Sequence, residues 1–374
     1  MSLTSDIKEY GLEIGYDRVG FTTAEKFTSY EQDLKERREM YSWAIDGRRQ
    51  LLKAADPQCG LPGAQSIIVT TYDYLKQEFP RELVGKVGRV HLAYGPFSCN
   101  PLREARYQLM RKFLEGAGLK LADRGLLPPV RLAGARAGIA DIGRNTFSFA
   151  GGAGSFILLE VFVVDKALEY GTPDERINCP DGCTACIDAC PTAALYAPFK
   201  VNPLKCIAYN TFASPDSINN PGHEIIPADI RENMGTWVYG CDVCQQVCPR
   251  NQPKLKAKLP PNAYLNHISC EFSLDRLLDL SDDNFARVSR LLTYIKKKSY
   301  FQRNAAVAIG NLKDESFTTL LGKVMMDSAA VVRAHAAWAL GKIGGVKARN
   351  LLENSLSRET SESVHLEIVA ALNR

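Results

Sequence analysis

The sequence is poor in the features that mark secreted and membrane proteins. Its longest apolar run, from Phe156 to Val164, contains Glu160 and is far shorter than the roughly 20 residues that span a bilayer. The first residues show no basic segment followed by an apolar stretch, so no signal peptide is predicted. A net charge of +4 over 374 residues permits an anionic partner without requiring one. These absences predict a cytoplasmic protein with no membrane segment.

A disulfide framework is also disfavoured by the way the 11 cysteines are distributed. Cys59, Cys99 and Cys270 are scattered along the chain. The others are concentrated in the runs CPDGCTACIDACP (179–191) and CDVCQQVCP (241–249), with Cys206 between them. Closely spaced thiolates need a reducing compartment, which again predicts the cytoplasm.

Each cysteine run ends in a cysteine followed by proline, which is typical of proteins with two [4Fe–4S] clusters. In such proteins that last cysteine leaves its own run and ligates the other cluster. The first cluster is therefore predicted to be held by Cys179, Cys183, Cys186 and Cys248. The second is predicted to be held by Cys190, Cys206, Cys241 and Cys244.

Two points about this metal assignment stay open at the level of sequence. Cys179 is the least regular ligand, because three residues separate it from Cys183 where the bacterial ferredoxin run has two. A pair of zinc sites with four cysteines each is the alternative, since C-x2-C pairs also suit tetrahedral zinc.

The pattern of the chain changes twice and predicts an α+β protein with three domains. Residues 1–165 alternate helical and strand signals, which predicts an α/β domain with a mixed sheet. Residues 166–258 are rich in proline, so bound metal clusters are expected to contribute to folding. The stretch NQPKLKAKLPP (251–261) has the composition of a basic linker, and residues 259–374 are predicted to hold the linker's end and a helical domain.

The C-terminal part repeats itself. RNAAVAIGNL (303–312) and AHAAWALGKI (334–343) superpose with a period of 31 residues, and VHLEIVAALN (364–373) is a weaker third copy. Small residues at fixed offsets allow close helix packing, which predicts stacked hairpins of the HEAT type. Lys296, Lys297, Lys298 and Arg303, at the start of the array, are candidates for contacting phosphates; the alternative is an ordinary solvated helix face.

Taken together, these motifs resemble the epoxyqueuosine reductase family, cobalamin-dependent iron–sulfur enzymes related to reductive dehalogenases. The resemblance rests on the two cluster runs, the repeats and the stretches LPGAQSIIV (61–69), IGRNT (142–146), GSFILLEVFVVD (154–165), KCIAYNT (205–211) and VYGCDVCQQVCPRN (238–251). It implies a cobalamin-binding domain at 1–165, a ferredoxin-like insert with two clusters at 166–258, and HEAT-like repeats at 259–374 that help to hold tRNA.

The resemblance also implies a route for electrons and a set of cofactor contacts. An external low-potential donor would supply electrons, which pass through the two clusters to the corrinoid. The implied cofactor-binding residues are Arg144, Gly154, Ser155, Tyr209 and Tyr239. Core packing is the alternative for each tyrosine. The stretch AGGAGS (150–155) lacks the pattern of a phosphate-binding loop, but glycines of this kind let a backbone approach a planar ligand closely.

Two departures from the family pattern leave the substrate open. Asp123 matches the family's catalytic aspartate only if one residue is inserted, so it is a weak candidate. The stretch RVHLAYGPFSCN (89–100) lacks the family's Asp-Tyr-His; its His91 and Cys99 are candidate functional groups whose alternative is a structural role. The second functional hypothesis is therefore an electron-transfer protein that reduces a corrinoid, either bound here or held by a partner corrinoid protein.

Overall fold

The computed structural model describes residues 2–47, 49–93, 101–171, 179–217 and 220–374. The strands in these ranges are β1 (Arg18–Thr23), β2 (Ser66–Asp73), β3 (Asp141–Ile142), β4 (Ser148–Phe149), β5 (Ile157–Val164), β6 (Leu195–Ala197) and β7 (Lys200–Val201). The helices of the first half are α1 (Leu3–Glu13), α2 (Thr28–Glu36), α3 (Arg38–Ile45), α4 (Leu51–Ala54), α5 (Arg89–Leu92), α6 (Pro101–Gly116), α7 (Val130–Arg136) and α8 (Ala185–Asp188). The helices of the second half are α9 (Ile207–Phe212), α10 (Ala228–Asn233), α11 (Val243–Gln246), α12 (Gln252–Lys256), α13 (Ala263–Ile268), α14 (Leu274–Leu278), α15 (Asp282–Leu291), α16 (Lys298–Leu312), α17 (Thr318–Val324), α18 (Ala330–Ile343), α19 (Gly345–Leu356) and α20 (Glu362–Leu372).

The chain divides into two compact units that interleave along the sequence. The α+β unit comprises Met1–Lys76, Cys99–Pro203 and Val243–Leu259. The helical unit comprises Gln77–Ser98, Leu204–Asp242 and Pro260–Arg374. The predicted α+β class is confirmed. The three consecutive domains stay a prediction, because the boundaries of the compact units do not follow the order of the sequence.

The α+β unit is built on an antiparallel sheet in the order β1-β2-β5. Alternate residues of the strands pack on opposite faces, as the pleat requires. Ile68 and Phe162 contribute to the core formed with α1 and α6, whereas Ile67 and Val163 contribute to the core formed with α7. Both faces of the sheet are therefore covered, and the side chains of β2 are buried from Ser66 to Thr71.

The predicted mixed sheet is corrected by the strand register. Every strand pair within the described part of this sheet is antiparallel. Thr23 at the end of β1 pairs with Ser66 at the start of β2, so the connection through α2, α3 and α4 leaves and re-enters the sheet at the same end of these two strands. A parallel pair would need a crossover that returns the chain to the opposite end of the strands.

The stretch predicted to be a basic linker begins as ordered structure. Residues Gln252–Lys256 form α12, with proline at one of its first two positions, where proline is compatible with a helix. The ammonium group of Lys254 lies 2.5 Å from a carboxylate oxygen of Asp73 at the end of β2, and both side chains are largely buried. The linker prediction is therefore wrong for these residues.

The helical unit confirms the predicted repeats. Helix α16 packs on α18, and α18 packs in turn on α20. A Cβ atom on Gly310 of α16 would lie 2.6 Å from the Trp338 ring and 2.9 Å from the backbone of Ala339. A Cβ atom on Gly341, one 31-residue period later, would lie 2.6 and 2.8 Å from the Cβ and Cα of Ala371. The small residues of the repeat thus mark the positions where neighbouring helices approach most closely.

Of the basic residues at the start of the array that were predicted to contact phosphates, Arg303 does not lie at the surface. Arg303 is fully buried, and its guanidinium donates hydrogen bonds to the backbone carbonyls of Asn210, Ala213, His223 and Glu224. The phosphate-contacting prediction is therefore wrong for Arg303, because its side chain is buried inside the helical unit. Lys297 and Lys298 are at the surface and pair with Asp216 and Asp282. Among the helices of the described residues, none has the length and apolar character needed to cross a membrane.

Candidate metal and cofactor site

Four cysteines of the α+β unit line a single cavity. Cys179, Cys183 and Cys186 come from the first run and Cys248 from the second, which is the set predicted for the first cluster. The other lining residues are Arg144, Asn145, Phe149, Pro180, Pro249 and Arg250. The short helices α8 and α11 pack against each other and bring the two runs together. We call this space the cluster-one cavity.

The cluster-one cavity has the chemistry that an iron–sulfur cluster needs. None of its cysteines forms a disulfide, so four thiols are available as ligands. Burial, followed by the proximity of the other three cysteines, raises the pKa of the Cys186 thiol to about 11. Cluster assembly must therefore displace protons from these thiols, as metal binding to cysteine generally does. The residues present fit a [4Fe–4S] cluster.

Backbone N–H groups face the sulfur atoms of this set. The Arg144 N–H lies 3.5 Å from the Cys179 sulfur, and the N–H groups of Arg250 and Asn251 interact with the Cys248 sulfur. The Arg144 guanidinium donates to the Cys183 carbonyl at 2.6 Å. Hydrogen bonds of this kind orient the ligands and set the reduction potential of a cluster. Arg144, predicted to bind the cofactor, thus lies at the cluster-one cavity.

Arg250 carries the most elaborate set of contacts around this cavity. Its guanidinium donates to both carboxylate oxygens of Asp141, at 2.8 and 2.7 Å, and lies 4.0 Å from the centre of the Phe149 ring. It also interacts with the Cys179 sulfur. Burial lowers the pKa of Arg250, but the hydrogen bonds to Asp141 and the interaction with Cys179 outweigh it, so the pKa is raised overall. Arg250 therefore stays charged beside the thiols.

Gly154 and Ser155, predicted to bind the cofactor, hold the second cysteine run in place. Gly154 has a φ of +60°, and a Cβ atom there would lie 2.4 Å from the side-chain oxygen of Asn251. The Ser155 N–H donates to that oxygen at 2.8 Å, and the Ser155 hydroxyl donates to the Gln245 side chain at 2.9 Å. Asn251 in turn donates to the Gln245 carbonyl at 2.9 Å. This buried network explains why the second run keeps its shape next to β5.

A second cavity, of about 440 Å³, lies in the same unit and shares Phe149 and Arg250 with the cluster-one cavity. Its lining residues include most of the glycine-rich segment 150–154 and residues 138–141. Arg18, Arg250 and Lys254 contribute positive charge, and Asp141 contributes one negative charge. No histidine is among its described lining residues. We call it the glycine-lined cavity.

The other four predicted cysteine ligands are divided between the units. Cys190 follows α8, and Cys244 lies in α11, where its carbonyl accepts a hydrogen bond from Asn145 at 3.3 Å. Cys206 precedes α9 in the helical unit, and Cys241 lies beside Gly88. Their grouping as the ligands of the second cluster stays a prediction.

Both predicted tyrosines belong to the core of the helical unit. Tyr239 is almost completely buried, and its hydroxyl accepts a hydrogen bond from the Tyr294 N–H at 2.8 Å. The Tyr209 hydroxyl donates to the Pro221 carbonyl at 2.5 Å. These contacts favour the packing alternative, and a contact with the corrinoid stays a prediction. His91 packs against Tyr239 with ring centres 4.8 Å apart, and burial lowers its pKa to about 3, so it is neutral at pH 7.

The candidate acid is not in either cavity. Asp123 is exposed, between Leu121, which bridges to β5, and helix α7. It is absent from the described residues that line the cluster-one and glycine-lined cavities. Its neighbour Arg124 pairs with Glu104 at 2.7 Å. Cys99 lies outside the described residues.

No pattern in the sequence predicts two ion pairs and one asparagine that lie near the cysteines. Asp141 and Arg250 are 109 residues apart, and no motif links them. Arg89 pairs with the buried Asp242, next to Cys241, at 3.0 Å. Asn251 comes two residues after the Cys-Pro ending of the second run. That ending points to Cys248 as a ligand and carries no information about Asn251.

Comparisons with known proteins agree with this geometry. Residues 179–251 match the 4Fe-4S double cluster binding domain, and residues 274–373 match HEAT repeats. Epoxyqueuosine reductase of Bacillus subtilis is 29% identical over 379 residues, covering 98% of this chain and 94% of that protein. A crystal structure of selenomethionine-labelled epoxyqueuosine reductase is 28% identical and superposes with a TM-score of 0.82, covering 99% of this chain and 98% of the other. The chain is similar to epoxyqueuosine reductases over almost its full length.

This similarity confirms the resemblance carried by the sequence motifs. It also confirms the predicted cofactors, two [4Fe–4S] clusters and cobalamin, and the zinc alternative is set aside. A further structure in the family holds an epoxyqueuosine-modified stem loop of a tyrosine tRNA, and it is 28% identical to this chain with a TM-score of 0.82. The chain is thus an iron–sulfur, cobalamin-dependent reductase.

Proposed function

We propose that this protein reduces epoxyqueuosine to queuosine in tRNA. The observation that carries the proposal is the convergence of Cys179, Cys183, Cys186 and Cys248 on one cavity, inside a chain similar to epoxyqueuosine reductases over almost its full length. Reduction of an epoxide to an alkene consumes two electrons and two protons and releases water. Two one-electron clusters in one chain match that demand.

The cysteines are assigned to the clusters by crossed ligation. Cys179, Cys183, Cys186 and Cys248 are proposed to hold the first cluster, supported by their shared cavity. Cys190, Cys206, Cys241 and Cys244 are proposed to hold the second, supported by the Cys-Pro endings of both runs. The backbone N–H groups that face Cys179 and Cys248 would orient these ligands and tune the cluster.

The glycine-lined cavity is the proposed contact of cobalamin with the α+β unit. Glycine backbone permits the close approach that a flat macrocycle needs, and the cavity has room for part of a corrinoid. When bound, cobalamin supplies a low-valent cobalt centre that delivers electrons to the substrate. No histidine is among the described lining residues, so we expect cobalamin to be held without a histidine from this set. Arg18 and Lys254 would face the cofactor's polar side groups.

Asp123 is the proposed proton donor, and its role depends on its loop. A general acid typically contributes 10²–10⁴-fold to a rate, so an acid is needed near the epoxide oxygen. Asp123 is exposed in this structure, in the loop before α7. The proposal therefore requires the loop to bring Asp123 to bound substrate. Asp123→Asn is expected to lower kcat by at least about 10²-fold while leaving iron and cobalt content unchanged.

The proposed partners follow from the reaction. They are tRNA, which is held in part by the repeats, and an external low-potential electron donor, in the cytoplasm. A separate corrinoid protein is needed only under the second hypothesis, in which the chain transfers electrons without acting on an organic substrate. The exposed position of Asp123, away from both cavities, is the observation that favours that alternative.

Anaerobic reconstitution with iron, sulfide and cobalamin tests the proposal. We expect eight cluster irons and one cobalt per chain, and an electron paramagnetic resonance spectrum of the Co(II) form without nitrogen superhyperfine splitting. Turnover is then assayed with epoxyqueuosine-containing tRNA and a chemical reductant. Four irons, or no queuosine from a protein loaded with both cofactors, would contradict the proposal. Failure to bind cobalamin would favour electron transfer to a partner-held corrinoid.

A further inference from the structure

In the ion pair between Arg250 and Asp141, the arginine is the member that lies at the cluster-one cavity. Arg250 lines both cavities, whereas Asp141 lines the glycine-lined cavity and is not among the residues of the cluster-one cavity. The positive end of the pair therefore faces the four cysteines. Both side chains are mostly buried, at 15% and 14% exposed, so solvent screens this charge only partly.

The guanidinium has little freedom to move. Two hydrogen bonds to Asp141, at 2.8 and 2.7 Å, fix its plane, and the Phe149 ring lies 4.0 Å below it. Bidentate contacts of this kind impose geometry as well as charge. The backbone N–H of Arg250 also faces the Cys248 sulfur. One residue thus acts on Cys179 through its side chain and on Cys248 through its backbone.

We propose that Arg250, clamped by Asp141, is a positioning residue that raises the reduction potential of the first cluster. Reduction adds one electron to the cluster, and a fixed cation beside two of its ligands stabilises the more negative state. The same contact anchors Cys179, whose spacing from Cys183 is irregular. The inference rests on the proposed assignment of Cys179, Cys183, Cys186 and Cys248 to the first cluster.

Three variants separate charge from structure. Arg250→Gln removes the cation. Asp141→Asn removes the negative end of the pair while leaving an acceptor for the guanidinium. Arg111→Gln is the matched control, because Arg111 also pairs with a carboxylate, that of Glu115, and is not among the described lining residues of either cavity. Each variant and the wild type are reconstituted anaerobically, their iron is counted, and the midpoints of both clusters are measured by redox titration followed by electron paramagnetic resonance.

The proposal predicts opposite signs for the two members of the pair. In Arg250→Gln, one midpoint moves to a more negative potential by at least a tenfold change in the equilibrium constant, which is 59 mV for one electron, and the other stays. In Asp141→Asn the same midpoint moves to a more positive potential. Arg111→Gln leaves both midpoints at the wild-type values. A merely structural role for Arg250 would not produce this change of sign.

The result that overturns the inference is specific. It is an Arg250→Gln protein with eight irons and both midpoints unchanged, or a control that shifts as far as Arg250→Gln. If Arg250→Gln does not retain its clusters, Asp141→Asn decides, and an absent or negative shift overturns the inference. A wild-type protein with fewer than eight irons would instead count against the cluster assignment, so the two failures are distinguishable.

Discussion

The substitution Arg303→Met separates two roles for the first arginine of the repeat array. The sequence suggested a phosphate contact, whereas the structure buries the side chain completely. Burial lowers the pKa of Arg303 to about 10, so the guanidinium is still charged at pH 7. Its hydrogen bonds end on backbone carbonyls of the segments before and after Pro221, at distances from 3.1 to 3.4 Å.

The cost of the substitution follows from the carbonyls left behind. Methionine fills much of the volume but donates no hydrogen bond. The carbonyls of Asn210 and Ala213 accept buried hydrogen bonds from Arg303, whereas the bonds to His223 and Glu224 are only partly buried, so those two carbonyls can bind water instead. Two buried acceptors without a donor cost about 2–6 kcal/mol in the free energy of unfolding.

The matched control is Lys297→Met, six residues earlier in the chain. Lys297 is exposed and pairs with the exposed Asp216, a type of ion pair that contributes little to stability. We expect thermal melting followed by circular dichroism to show a clear loss of stability for Arg303→Met and almost none for Lys297→Met. In a series of tRNA-binding measurements at increasing salt, Arg303→Met should leave the salt dependence of the affinity unchanged. A lost phosphate contact should appear only with Lys297→Met, as a weaker salt dependence. An Arg303→Met protein of wild-type stability that had lost tRNA binding would refute the assignment of Arg303 to the core.

Three further predictions address the repeats, the clusters and the pH dependence. Gly310→Ala should destabilise the protein by about 1–2 kcal/mol, because overpacking against the next helix exceeds the gain in helix propensity. The control is Gly116→Ala, where a Cβ atom would meet nothing within 4 Å, and it should be neutral or stabilising in the same melting assay. Cys190→Ser should perturb the spectrum of the second cluster and spare the first, and the reverse pattern would contradict crossed ligation. Hydrogen bonds from Arg333 lower the pKa of Glu359 to about 2, so this pair stabilises the protein above the unfolded pKa near 4.5 and loses its effect as the pH falls toward 2. Glu359→Gln should therefore lower the melting temperature at pH 7, by an amount equivalent to about 1 kcal/mol, and the difference from wild type should shrink between pH 4.5 and pH 3.

The sequence predicted the features that depend on local spacing. The Cys-Pro endings predicted that Cys248 joins the first run, and the four cysteines do line one cavity. The 31-residue period predicted close packing at Gly310 and Gly341, which the helices show. Patterns of this kind lie within short stretches of sequence, where the geometry of a helix or loop limits the structures that the residues can form.

The sequence did not predict features that depend on contacts between distant segments. The Arg250–Asp141 pair joins residues 109 positions apart, and the burial of Arg303 depends on carbonyls about 80–93 residues earlier. A basic side chain reads the same way in sequence whether it faces solvent or a cage of carbonyls. The antiparallel sheet escaped prediction for a similar reason, because strand direction is set by where the helical connections return the chain.

The most direct test of the proposed function is a single-turnover experiment with counted electrons. The reconstituted protein is reduced, the excess reductant is removed anaerobically, and epoxyqueuosine-containing tRNA is added in excess. Queuosine in the tRNA is then quantified by mass spectrometry. If the clusters of this chain serve the reduction, queuosine should form without further reductant, and the reduced-cluster signals should fall as it forms. Loss of those signals with no queuosine formed, in a protein holding eight irons and cobalamin, would contradict the account.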